Sequence, residues 1–342
     1  MNLTRRHFAH LLAGLAATPL AGAEASRLNL SGAAKYTAAR RSYALLVKQH
    51  GHVIHESYSN GAKRGQGWRI YSGTKGFWGL AAMAAVEDGL IRLDEKVAST
   101  LPGWNDGLKK SVTVEQLLDF TCGLERCLRL HQDGLKNRNQ MAMDRPMVSS
   151  PGRSFIYGPS ALQVFHEVLK RKLAGKKGRG ESPTRYLERK VLKPMGLGPQ
   201  RYLADASGNP LLAAGFVMSA EQWSRMGDVL LANGRPVLNS SSMGKLLEGS
   251  SANPAYSFGF WNNRAAGRMA PREIDIEDQL DVDWDRQNWS RVCIARGVPK
   301  DLIACIGSSY QRLYVIPSQG LVIVRQGLGA RYSDGEFLRT LL

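Results

Sequence analysis

A serine and a lysine three residues apart, Ser72 and Lys75, stand at the start of an apolar stretch of the chain. The residues that follow, up to Val86, are apolar on nearly every side of a helix, which indicates a buried helix. Burial disfavours the charged form of an amine and so lowers its pKa. A neutral amine one helical turn from a serine hydroxyl can take its proton and make the oxygen a nucleophile. The alternative interpretation is a serine that caps a helix, followed by a solvated lysine.

The elements around this pair predict an α+β fold. Residues 42–61 form two strands that turn at His50 and Asn60, each followed by a glycine. A helical region follows, in which Ser219 and Gln222 form a capping box. From Tyr256 onward the pattern changes to strands rich in Val and Ile, followed by a short final helix. Strands from both ends of the chain predict an antiparallel sheet flanked by helices, with a helical lobe over about residues 90–250 inserted between them.

The first 25 residues are typical of an export signal. Arg5 and Arg6 precede a short apolar stretch, and small residues that fit a cleavage site follow it. Thr18 and Pro19 interrupt the stretch, which is too short to span a bilayer. We expect a twin-arginine signal peptide over residues 1–25, a single mature domain over residues 26–342 and a periplasmic location. An ordinary secretory signal is the alternative, and fractionation of cells that express the double Arg-to-Lys variant distinguishes the two.

The charge of the chain favours no nucleic-acid partner. The formal net charge of +17 is dispersed, and the densest basic run, residues 170–180, contains no interleaved aromatic residues. A hydrophobic content of 43% and a charged content of 22% are those of a soluble globular protein without a transmembrane segment. The dispersed charge would suit contact with an anionic cell envelope, but it selects no substrate.

Four cysteines leave two alternatives open. In an oxidising compartment Cys122 can pair with Cys127, and Cys293 with Cys305 across a hairpin that turns near Val298. Free thiols are equally compatible, because a protein exported in the folded state does not depend on disulfides. Neither pair has the spacing of zinc ligands, so no zinc site is expected.

An acidic segment, residues 273–285, alternates aspartates at its end in a way that suggests calcium binding. Counted from Asp281, the EF-hand pattern requires Gly and Glu where the chain has Arg286 and Val292. We therefore expect neither a metal nor a cofactor. The segment is interpreted as a loop near the rim of an active site, with Trp284 and Trp289 as contact residues.

Several stretches in a fixed order resemble the penicillin-recognising serine hydrolase superfamily: YSGTKGF, GLIRLDEKV, TVEQLLDFTCGL, PGRSFIYG, PMGL and RLYVIPSQGLVIVRQG. The nearest branch is the class C beta-lactamase-like one, with its D-alanyl-D-alanine carboxypeptidases, esterases and 6-aminohexanoate-dimer hydrolases. The resemblance extends over about residues 40–340 and implies a beta-lactamase/transpeptidase-like fold.

The resemblance implies roles for three residues. Ser72 would be the acylated nucleophile and Lys75 its proton acceptor. Tyr157 stands where the family has Tyr-x-Asn and would pass protons between nucleophile, water and leaving group, with a nearby ammonium lowering the pKa of its phenol. Pro159 replaces the asparagine of that motif, so a substrate contact is lost. Ser160 could supply it, or could instead cap the following helix.

The third motif of the family falls near Gly307, Ser308 and Ser309, where this chain has no cation. A backbone N–H of that strand would form an oxyanion hole together with the N–H of Ser72. The missing cation favours an esterase or amidase acting on a small or peptide-like substrate through an acyl-enzyme. The alternatives are a beta-lactamase, a D-alanyl-D-alanine carboxypeptidase, or a non-catalytic protein that binds the cell envelope.

Overall fold

A computed structural model of the chain describes residues 28–329 and 331–342, so the expected signal segment lies outside the described residues. The strands are β1 (Ser42–Gln49), β2 (His52–Tyr58), β3 (Trp68–Arg69), β4 (Val217–Met218), β5 (Tyr256–Ser257), β6 (Phe260–Asn262), β7 (Arg272–Glu273), β8 (Val292–Cys293), β9 (Ile303–Gly307), β10 (Gln311–Ile316) and β11 (Leu321–Gly327). The α-helices are α1 (Leu30–Ala38), α2 (Thr74–Glu87), α3 (Val114–Leu118), α4 (Arg138–Met143), α5 (Pro159–Ala174), α6 (Pro183–Leu187), α7 (Ala220–Leu231), α8 (Ser240–Leu246), α9 (Ile276–Asp281) and α10 (Asp334–Leu341).

A seven-stranded antiparallel sheet forms the centre of the fold, in the order β2-β1-β11-β10-β9-β6-β5. The first strand of the chain, β1, pairs with the last strand of the chain, β11. In this pairing Lys48 of β1 stands opposite Val322 of β11. Helices α3 to α6 lie between β3 and β4 in the sequence, and α7 packs against β1, β10 and β11. The α+β fold expected from the sequence is therefore confirmed. None of the described helices is both long and apolar enough to pass through a bilayer.

Helix α2 is buried along most of its length, as its apolar sequence predicts. At Gly79 it passes so close to the main chain that an added Cβ would lie 1.9 Å from the carbonyl oxygen of Phe258. The regular helix begins at Thr74, and Ser72 belongs to a preceding 3-10 turn, Tyr71–Gly73. The serine thus stands on a tight turn that leads into a rigid, buried helix.

All four cysteines are free in the structure. The expected hairpin between Cys293 and Cys305 is wrong, because β8 pairs in parallel with β7, whereas β9 pairs with β6 and β10. The side chain of Asn263 explains the divergence. Its Oδ1 accepts the N–H groups of Ile294 and Ala295 at 2.8 and 3.0 Å, so these two N–H groups are not available to pair with β9.

Candidate active site

Hydrogen bonds to Phe216 hold the turn that carries Ser72 on both sides. Ile70 donates its N–H to the carbonyl of Phe216 at 3.0 Å, and Phe216 donates its own to Thr74 Oγ1 at 3.2 Å. Between them Tyr71 adopts a left-handed φ of 45°. Such a conformation costs a non-glycine residue about 1–3 kcal/mol and persists only where its surroundings enforce it. The direction of the Ser72 side chain is therefore set by the backbone.

Lys75 lies one turn further on, with its Nζ 2.7 Å from Ser72 Oγ. The same nitrogen donates to the carbonyl oxygen of Ala213 at 3.0 Å, and the residue is only 3% exposed. Desolvation lowers the pKa of Lys75 to about 7. A substantial fraction of the protein therefore holds a neutral amine next to the hydroxyl at neutral pH, and that amine can accept the serine proton.

Tyr157 immediately precedes the residue that caps α5, and its hydroxyl forms a hydrogen bond with Ser72. Its ring packs edge-to-face on Phe120 at 5.0 Å and on Tyr256 at 5.8 Å. Burial raises the pKa of Tyr157 well above its usual value, so the phenol stays protonated at neutral pH. The expected lowering by a nearby ammonium is wrong. Desolvation dominates, and Lys75 Nζ lies over the ring face, 4.5 Å from its centroid.

These three residues meet in one cavity of about 410 Å³. Its other lining residues are Tyr71, Arg126, Leu128, His131, Gly158, Ala214, Glu277, Leu280, Asp281, Ile306 and Ser308. Ser308 is thus the one residue of the predicted third motif that reaches the cavity. Gly307 lies behind it, where an added Cβ would be 2.0 Å from the carbonyl oxygen of Ile70. Only glycine permits this approach of β9 to the serine turn.

Besides Gly307, two predicted site residues lie outside the cavity lining. Ser160 is buried in the first turn of α5, and its hydroxyl has no hydrogen-bond partner among the described residues. It neither reaches the cavity nor caps the helix, because Gly158 occupies the cap position. Ser309 does not line the cavity and donates its N–H to Glu277 at 3.0 Å.

A buried ion network supports the turn after β9. Glu277 accepts the N–H groups of Ser309 and Tyr310, both in left-handed conformations with φ of 60° and 57°. Arg312, fully buried, donates to Glu277 at 2.8 Å and to Asp334 at 2.6 Å. This network fixes the backbone beside Ser308. No local sequence pattern predicts this network, although a charged residue, Arg312, within the apolar strand β10 indicates a buried charge.

The acidic segment contributes Glu277, Leu280 and Asp281 to the cavity rim. Trp284 and Trp289, expected as contact residues there, instead line a separate cavity of about 970 Å³. Asp281 lies in the acidic segment that the sequence singles out, whereas no linear motif distinguishes the cavity residue Arg126.

The pH dependence of hydrolysis is expected to follow Lys75. The amine of Lys75 must be neutral to accept a proton. Therefore kcat/KM for a neutral ester should rise with pH, with a midpoint at about 7, and level off at higher pH. Desolvation and the charges of Lys75 and Arg138 lower the pKa of His131 to about 4, so this group does not titrate in the same range. Initial rates corrected for spontaneous hydrolysis give the profile. A midpoint near the ordinary lysine value of about 10.4 would contradict the prediction.

The Beta-lactamase family model matches residues 7–325 of the chain. Similar solved structures include a putative beta-lactamase from Bacteroides dorei DSM 17855 (TM-score 0.65, 15% identity, covering 89% of this chain and 93% of that chain). The hydrolase EstCE1, described as having promiscuous acyltransferase activity, has a TM-score of 0.64 at 17% identity over 91% of this chain and 96% of its own. A family VIII carboxylesterase has a TM-score of 0.61 at 14% identity, over 90% of this chain and 93% of its own. No curated protein sequence matches significantly.

Proposed function

Since this chain belongs to the beta-lactamase family and is a serine hydrolase, we propose that it hydrolyses an ester or amide of a small or peptide-like molecule through an acyl-enzyme on Ser72. The observation that carries the proposal is the 2.7 Å contact between Ser72 Oγ and Lys75 Nζ. Burial lowers the pKa of Lys75 to about 7, so at neutral pH the amine is uncharged in a substantial fraction of the molecules.

In the proposed reaction Ser72 Oγ attacks the carbonyl carbon of the substrate while its proton passes to Lys75. The backbone N–H groups of Ser72 and Ser308 are the proposed donors to the oxyanion. The bond to the leaving group then breaks, and that group receives a proton from Tyr157, which is replenished from Lys75. Water attacks the acyl-enzyme in the second half, releases the acid and restores the Ser72 hydroxyl.

Two features favour an ester or simple amide over a beta-lactam. Pro159 stands where the related enzymes have an asparagine, and Pro159 has neither a side-chain donor nor an N–H. The third-motif residues Gly307, Ser308 and Ser309 include no cation, and Asp281 is among the residues that line the cavity. The carboxylate of a beta-lactam therefore has no charged partner there. The family VIII carboxylesterase shows that this fold occurs in an esterase.

We expect measurable hydrolysis of p-nitrophenyl butyrate, with nitrocefin turnover weak or absent. Each missing charge-assisted hydrogen bond is worth roughly 1.5–3 kcal/mol. Two of them correspond to about a hundredfold to ten-thousandfold in transition-state binding. The measurement is kcat/KM for both substrates on one preparation, with the Ser72→Ala variant as the background. Efficient nitrocefin turnover would show that another residue supplies the contacts and that the chain acts as a beta-lactamase.

A further inference from the structure

The cavity has two walls that meet at Ser72. On one side Arg126 packs its backbone against the residue that follows Tyr157, since a Cβ added at Gly158 would lie 2.5 Å from Arg126 Cβ. On the other side α9 is attached to the turn after β9 through Glu277, and α9 ends at Asp281. Arg126 thus lines the cavity beside Gly158 and Tyr157, and Asp281 lines it from the end of α9, the helix that contacts the turn after β9.

Two of the charged residues that line the cavity already have partners. Glu277 is paired with Arg312 and accepts two backbone N–H groups. Lys75 is held by Ser72 and the carbonyl of Ala213. Within residues 28–329 and 331–342, Arg126 and Asp281 are the charged lining residues whose side chains have neither a hydrogen bond nor an ion pair.

Arg126 precedes a residue with an unusual backbone conformation. The next residue, Cys127, is buried and has a left-handed φ of 38°, a conformation uncommon for a residue other than glycine. On either side of it, Arg126 and Leu128 both line the cavity. Leu128 is 56% exposed, so this segment also offers an apolar side chain to a ligand in the cavity. An unpaired guanidinium together with an apolar side chain suits a carboxylate carried on a hydrocarbon chain or ring, which guanidinium can bind through two parallel hydrogen bonds.

From this arrangement we infer that Arg126 selects substrates with a carboxylate in the half of the molecule that lies against the Tyr157 wall. Asp281, which lines the cavity from the end of α9, disfavours a negative charge in the half of the substrate that lies against α9. The inference rests on the proposed function and specifies its substrate class: an ester or amide with one carboxylate, placed on one side of the scissile bond only.

Three aryl esters of matched size test the inference. The first is a neutral butyrate ester of methyl 4-hydroxybenzoate. The second is the butyrate ester of 4-hydroxybenzoic acid, with its carboxylate in the leaving group. The third is the monophenyl ester of adipic acid, with its carboxylate in the acyl group. We expect one of the two anionic esters, and not both, to exceed the neutral ester in kcat/KM by about tenfold to a hundredfold.

The Arg126→Gln variant should lose this advantage of the anionic ester over the neutral one, and Arg126→Lys should keep part of it. Arg129→Gln is the matched control, because Arg129 is an exposed arginine in the same segment outside the cavity lining. Hydrolysis of all three esters with no dependence on Arg126 would overturn the inference alone. Failure to hydrolyse any of them, together with absence of labelling at Ser72, would overturn the proposed function and the inference with it.

Discussion

The Ser72→Ala protein is expected to carry no covalent label after treatment with a fluorophosphonate, and to lose ester hydrolysis by about ten-thousandfold or more. The label forms on an activated hydroxyl, and in the structure Ser72 is the hydroxyl that contacts the buried amine of Lys75 at 2.7 Å. The fold should be unaffected, because the substitution removes one oxygen at the surface of a cavity. Intact-mass spectrometry reports the label, and circular dichroism reports the fold.

The control for this prediction is Ser160→Ala. Ser160 is buried, yet its hydroxyl has no partner among the described residues and lies outside the cavity. We expect this variant to be labelled with the same stoichiometry as the parent. A Lys75→Met variant should lose about as much activity as the double variant of Ser72 and Lys75, since the two act as one unit. A Ser72→Ala protein that still takes one label would refute the assignment of the nucleophile.

The second large effect is expected on stability. Arg312→Met should lower the free energy of unfolding by about 3–5 kcal/mol, because it leaves the carboxylate of Asp334 buried without its cation. For a chain of this size that corresponds to a fall in Tm of roughly 4–7 °C. Hydrolysis should also weaken in the folded fraction, since Arg312 helps Glu277 to hold the turn beside Ser308. Thermal unfolding and urea titration measure the stability.

The matched control is Arg339→Met, which breaks an ion pair with Glu273 near the surface. Such exposed pairs contribute about 0–1 kcal/mol, so this variant should unfold close to the parent. Adding Asp334→Asn to Arg312→Met should recover part of the loss, because the second change removes the unpaired charge. Equal, small effects of Arg312→Met and Arg339→Met would show that the buried network does not stabilise the fold.

Local signals in the sequence identify much of what positions the site. The apolar run after Ser72 predicts α2, and the capping box at Ser219 predicts the start of α7. These features depend on residues within one or two helical turns, so a linear pattern contains them. The same holds for the contact between Ser72 and Lys75, which are three residues apart.

The rest of the site depends on contacts that a linear pattern does not contain. Glu277 binds N–H groups 32 and 33 residues further along the chain. Arg126 and Asp281 come together only because the helical region and α9 close over the same edge of the sheet. Burial also reverses an expectation drawn from charge alone, since desolvation rather than the amine of Lys75 controls the pKa of Tyr157.

The pairing of the first strand with the last has a consequence for the order in which the molecule folds. Ser42 of β1 donates its hydroxyl to the carbonyl oxygen of Gln326 of β11 at 3.1 Å, and the two residues are 284 positions apart. Closing such a span costs entropy before its contacts contribute, so the central strands assemble slowly. Ser72 and Lys75 meet within a single turn of chain, whereas the clamp of Asp334 on Arg312 requires the C-terminal helix to dock on the sheet. We therefore expect the wall beside Ser308 to become rigid only late in folding, once this helix has docked.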